Sequence, residues 1–263
     1  AALTTTQLDG MTSTQVSLLS STQFDALSTT QLTSLTSTQL KGLTEDQLGT
    51  LTATELNALS TTQLKGLDST DISQLTTTQV SGLSTTMLLS LASTQIKGLS
   101  EEQIAALTIG QVTSFSSTAL SGLTETQLGW LTETQVSSLT TTQIKGLTST
   151  QVSQLTTSQI GSLTATQIAY IEITDIKGLT STQLSTFTAT QLAALSTRQI
   201  ASFTITALSG LTSTQLDLLT STQMSAFSKT EIAALTNDAL DALDSTDIAN
   251  LTDAQISGLT TDQ

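Results

Sequence analysis

The chain has 263 residues and a formal charge of −14, set by 21 acidic and seven basic side chains. It has no His, which removes the commonest general base and metal ligand, and no Cys, which removes disulfides and thiolate chemistry. The acidic balance argues against nucleic acid or an anionic membrane surface as partner, because both need clustered cations.

Aromatic content of 3% and the absence of Pro are unusual for a compact core. A repeat array escapes that objection, because each unit buries its apolar face only against neighbours. No apolar run approaches the roughly 18 residues a membrane span needs, so no membrane insertion is expected. No basic start followed by an apolar stretch and a cleavage site is present either. The chain begins "AAL" rather than with Met and reads as a processed or excised segment.

From Leu3 onward the chain is one octapeptide repeated without insertion or deletion, here lettered a to h with Leu3 at a. Position a is apolar in all thirty-three copies and f in all thirty-two. Position b is Ser, Thr or Asp except at Ala92 and Glu172, and e is Gln or Glu in twenty-six of thirty-three copies. One unbroken helix is excluded, since eight residues at about 100° each would move the apolar face by about 80° per octad. Ser or Thr at b followed by Gln at e is instead the capping box of a helix N-terminus, and a with f are the two positions of its hydrophobic staple. Each octad is therefore predicted to hold a helix of under two turns, from c to about h. Isolated helices of this length are marginal in water, so stability must come from stacking. The fold class expected is an all-α superhelical solenoid of about 33 short capped helices, with a β-solenoid as the alternative. Residues 1–263 are read as a single uninterrupted solenoid.

In chain order, the first distinctive copies are "LTSTQLKGL" (Leu35 to Leu43) and "LSTTQLKGL" from Leu59, echoed by "LTTTQIKGL" from Leu139. They carry Gly at h, which recurs at Gly10, Gly42, Gly66, Gly82, Gly98, Gly122, Gly146, Gly178, Gly210 and Gly258. All but Gly82 fall near multiples of 3.5 octads, which predicts about 3.5 octads per superhelical turn, with Gly where backbones come closest. Lys41, Lys65, Lys97, Lys145 and Lys177 at g each precede one of those glycines and would form a stripe along one side. Thr36 with Thr38 exemplifies T-x-T pairs of the kind that ice-binding β-helices present in flat ranks, an analogy that requires strands.

Asp68 with Asp71, and Asp244 with Asp247, repeat "DSTDI", and Glu172 with Asp175 is a near relative. Ca²⁺ needs six to eight oxygens and nothing here resembles a Ca²⁺ loop, so these carboxylates are read as alternative cap residues. The acidic end formed by Asp238, Asp241, Asp244, Asp247 and Asp253 is read as solvated. Trp130 and Tyr170, both at h, are read as fillers or surface contacts. Asn250 to Thr252 is a single N-x-T sequon. Ser and Thr abound, but without His, and with Arg198 and Lys229 as the only bases outside the stripe, no nucleophilic triad can be assembled. No catalytic, cofactor-binding or metal-ligating residue is assigned, and the chain is not expected to be an enzyme.

The phrase LT-x-x-Q-[LI]-x-x-L, as in Leu147 to Leu155 "LTSTQVSQL", is similar to octapeptide arrays of large bacterial secreted and surface proteins. That resemblance implies an extracellular or cell-surface repeat protein and carries over no functional residue. The chain opens at g with Ala1 and stops at e with Gln263, and joining the two would omit just one residue, an apolar f. The expectation is a structural protein of a fibre or stalk whose partner is itself, head to tail and in side contacts. The alternative is a Thr-rich module binding ice, glycan or a divalent cation.

Overall fold

The computed structural model describes residues 3–241 and 243–263; Ala1, where the junction reading begins, lies outside them. Among the described residues there are 32 α-helices, from α1 (Thr5–Asp9) to α32 (Asp253–Ile256), and no strand. The expected all-α class is observed, and the β-solenoid alternative is not. Each helix starts at c with its N-cap at b, as the capping signature requires, and none exceeds six residues.

The cap geometry repeats along the chain. In α5 (Ser37–Leu40) the extended Thr36 accepts a hydrogen bond at Oγ1 from the Gln39 N–H at 3.2 Å, while its own N–H donates to Gln39 Oε1 at 2.7 Å. The Thr36 hydroxyl also donates to that oxygen at 3.0 Å. Two backbone donors that would otherwise be orphaned at the helix start are thereby satisfied. Where b is Ala only half the box survives: the Ala92 N–H donates to Gln95 Oε1 at 3.0 Å. The final copy makes the same two bonds between Thr260 and Gln263 without a helix, at 2.9 and 3.2 Å.

Positions a and f form the core, as in Leu40, 1% exposed, and Leu43, 7% exposed. The f residue sits on the helix and the a residue on the bend after it, where the Leu43 N–H donates to the Leu40 carbonyl at 3.1 Å.

The chain divides into two compact units, Ala1–Leu131 and Thr132–Gln263. Within each, a helix packs against the third helix along. In the first unit α3 (Ser21–Asp25) meets α6 (Glu45–Thr50), and in the second α17 (Glu133–Ser138) meets α20 (Thr157–Ser162). Each unit therefore winds helically, burying one turn's apolar residues under the next.

The glycines at h show how tightly the turns approach. A Cβ built on Gly42 would lie 2.8 Å from Ser13 Cβ, and one on Gly66, Gly98, Gly178 or Gly210 would collide with the carbonyl of Ser37, Ser69, Ser149 or Ser181. Each contact lies 29 residues back. Gly82 corrects the phase argument: a Cβ there would collide with Ala53, so Gly82 makes the same approach as the others. The reason is that the same 29-residue step sets a c residue beneath each of these glycines within its own unit, so a fixed 3.5 phase is not needed. Helix length also matters. After four-residue helices, h is Gly, Ala, Ser or Thr among the described residues, as at Gly66 and Ala226, whereas Gln154 closes a six-residue helix. No described glycine has positive φ, so these positions serve close approach and not a left-handed turn.

Candidate functional site

The recurring chemical feature is the carboxamide at e. Its oxygen caps its own helix, and its nitrogen crosses to the preceding turn. Gln39 Nε2 donates to the carbonyls of Leu8 and Met11, both at 2.7 Å, and Gln47 Nε2 to those of Val16 and Leu19 at 2.9 and 2.8 Å. The same pattern holds in the second unit, where Gln183 reaches Val152 and Leu155 at 2.9 and 2.6 Å. Most of these bonds go to the f carbonyl 31 residues back and the a carbonyl 28 residues back, and in some copies the g carbonyl 30 residues back also accepts, as Ser81 does from Gln111 at 2.8 Å. Twenty-eight residues divided by an eight-residue repeat gives the 3.5 octads per turn expected from the glycines.

These glutamines are buried, Gln47 completely. Their amides bridge two turns in a setting where an unpaired polar group would be costly. A capping box alone accepts Glu as readily as Gln, yet e holds twenty-four Gln and only Glu55 and Glu231. That imbalance was the available signal for the donor end, because Glu supplies the cap but cannot supply the amide hydrogen.

Residues 168–205 match the family model described as the ALTTAQ repeat. This stretch resembles a known repeat family. Within it Ala194 to Gln199 reads "ALSTRQ", so the six-letter phrase runs from h to e and ends on the bridging glutamine. No curated protein matches the chain.

The acidic pairs are capping boxes. Asp68 Oδ1 accepts from the N–H of Thr70 and Asp71 at 2.8 and 3.1 Å, and Asp71 Oδ2 accepts from the Asp68 N–H at 2.8 Å. Asp244 and Asp247 repeat this arrangement. The backbone donors of Asp247 and Thr246 hold the Asp244 carboxyl below the usual carboxylate range. Asp71 is pushed the other way, chiefly by burial. Glu172 does not cap; its carboxylate lies 3.8 Å from Lys145 Nζ, which also sits 5.2 Å from the centre of the Tyr170 ring. Tyr170 is thus a surface contact, and both charged partners are half exposed, where such a pair contributes little. Among the described residues no group of three or more Asp or Glu is placed to hold a metal ion.

In the first unit Lys41 and Lys65 line one shallow groove with Ser37, Thr38, Thr62 and Gly66, which puts two members of the expected stripe side by side. Asn250 is exposed at the end of α31 (Ser245–Asn250). The T-x-T pairs do not form ranks of free hydroxyls, because the b member is taken up by its cap, as at Thr36. No helix among the described residues is long and apolar enough to cross a membrane.

Proposed function

We propose that this chain is a structural protein of an extracellular fibre or bacterial surface stalk, built by stacking of its repeats and joined end to end with copies of itself. Its role is mechanical, with no catalysis. The observation that carries this reading is the use of the recurring polar groups: hydroxyls at b and carboxamides at e are engaged in capping helices and bridging turns, which leaves them unavailable for chemistry. The extracellular placement is supported by the likeness of the octad to arrays of bacterial surface proteins.

Cryo-electron microscopy of the purified chain over a series of concentrations, with far-ultraviolet circular dichroism on the same samples, tests the proposal. Filaments that lengthen with concentration and keep a helical spectrum are expected. Discrete single chains at every concentration would overturn it.

A further inference from the structure

We propose that one charged face of the first unit docks against the same face of a second copy, the two running parallel about a two-fold axis along them. The contact is lateral. It goes beyond the end-to-end joining proposed above and does not depend on it.

The face is written twice in the sequence. Lys41 to Asp46 reads "KGLTED", and Lys97 to Glu102, 56 residues on, reads "KGLSEE". The bridging bond of Gln39 to Met11 spans 28 residues, so the two copies of the phrase stand on one side of the unit, two turns apart. All six of their charged side chains are exposed. The turn between them presents Ser69, Thr70 and Ser73, exposed and uncharged.

Within each phrase the charges are sorted. The lysine lies at g, and the carboxylates lie at c and d of the next octad, roughly a sixth of the 28-residue turn further round. The face therefore has a basic edge and an acidic edge. Among the described residues the one ion pair is that of Lys145 with Glu172, so these six charges are unpaired within the chain. Lys65 widens the basic edge through the groove it shares with Lys41. Two carboxylates also lie on that edge: Asp68 is taken up by its own cap, and Glu125 stands one turn beyond Lys97. The acidic edge holds no cation. Between the edges Gly42, Thr70, Gly98 and Thr126 follow one another at 28-residue steps, so no bulky side chain holds two such faces apart.

Symmetry selects the orientation. When two copies face each other in parallel, the left edge of one meets the right edge of the other at the same height. Lys41 then meets Glu45 and Asp46 of the second copy, Lys97 meets its Glu101 and Glu102, and every contact occurs twice. Turning one copy end for end would bring each edge against its like, lysine to lysine and carboxylate to carboxylate, which is repulsive. The equal two-turn spacing of lysines and carboxylates lets both sets pair in one register.

The full chain has no native Cys, so single cysteines report the contact. Thr70→Cys and, in a separate chain, Thr126→Cys should each be joined to its own counterpart by a short bismaleimide, giving a covalent dimer. Thr86→Cys, exposed more than half a turn away, should not. Bonds between like residues at two heights require parallel copies, and a cysteine far from both ends does not report joining at the ends. Adding Lys41→Glu and Lys97→Glu to the Thr70→Cys chain should raise the concentration that gives half-maximal dimer by about tenfold or more, at an unchanged circular dichroism spectrum. Further adding Glu45→Lys and Glu101→Lys exchanges the two edges and should restore pairing. Lys145→Glu with Lys177→Glu makes the same change of net charge in the second unit and should leave pairing as it was. A dimer yield indifferent to Lys41 and Lys97, an equal loss in the second-unit control, or linkage through Thr70→Cys without Thr126→Cys would overturn this face. So would a chain that gives no linked dimer at all, and none of these results bears on filaments joined at their ends.

Discussion

Asn57 completes the helix cap of Ser84 from the neighbouring turn. Its Oδ1 accepts from the Ser84 N–H at 2.6 Å and its Nδ2 donates to the Gly82 carbonyl at 2.8 Å. The octad of Ser84 has Met87 at e, where a glutamine oxygen would ordinarily take that N–H. A side chain 27 residues away thus supplies the acceptor that Met87 lacks. Asn57→Ala should destabilise the turn by about 0.5–1.5 kcal/mol, the usual net worth of a hydrogen bond whose donor water can reach. Amide hydrogen exchange at Ser84 checks it, with faster exchange expected. Adding Met87→Gln to that variant should restore protection, and a failure to do so would remove the compensation argument.

Gln47 shows why the bridging residue is an amide. Gln47→Ala loses the two bonds to Val16 and Leu19 and should cost about 1–3 kcal/mol. Gln47→Glu keeps the Thr44 cap but sets a carboxylate oxygen against two carbonyls in a fully buried site, so at neutral pH it should cost more, about 3 kcal/mol or above. The introduced carboxyl would have a folded-state pKa above its unfolded value. Its penalty is therefore full above the folded pKa, shrinks as the pH falls from there towards the unfolded one, and is gone below the latter, where a protonated oxygen can donate. Urea titrations of both variants at pH 7 and pH 4 should show the gap between them closing in acid.

Much of this architecture could be read from the octad itself. The spacing of b, e, a and f specifies the cap and staple because both are local, lying within five residues. The near-regular h glycines pointed to the length of a turn, although Gly82 breaks their phase and Ala, Ser or Thr fills h in other close turns, as at Ala226. The excess of Gln over Glu at e signals a donor, but that the Gln39 amide reaches Met11 was not legible, because nothing local identifies an acceptor 28 residues back. Asn57 was hidden for the same reason: its partner is identified only once the turns are stacked.

Asp71 occupies a bridging position with a side chain that can cap but cannot donate. Burial raises its pKa foremost; the Asp68 N–H opposes this, the Asp68 carboxylate adds to it and Lys41 opposes it. With the folded value above the unfolded one, the folded state holds the proton more tightly, so stability falls as pH rises through that window. Asp71→Asn should abolish this contribution. Asp71→Gln should abolish it and also reach the carbonyls of Leu40 and Leu43, adding about 1–2 kcal/mol. Thermal or urea unfolding of the three proteins between pH 3 and pH 7 separates the two effects. Equal stability of the Asn and Gln variants would mean that position 71 does not support the bridge.

Gly98 and Gly110 provide the sharpest contrast between two glycines of one sequence. A Cβ on Gly98 would collide with the Ser69 carbonyl in the turn below, whereas one on Gly110, inside α14 (Ile109–Ser114), would meet nothing within 4 Å. Neither has positive φ, so backbone conformation cannot explain a difference between them. Gly98→Ala must push two turns apart or bend one of them and should cost about 1–3 kcal/mol, as overpacking does elsewhere. Gly110→Ala gains helix propensity and should stabilise by about 0.5–1 kcal/mol. Chemical denaturation of the pair decides the matter, because their opposite signs cannot come from propensity alone. If Gly98→Ala were neutral, the turns would have slack, and the spacing between them would be set by the glutamine bridges instead of backbone contact.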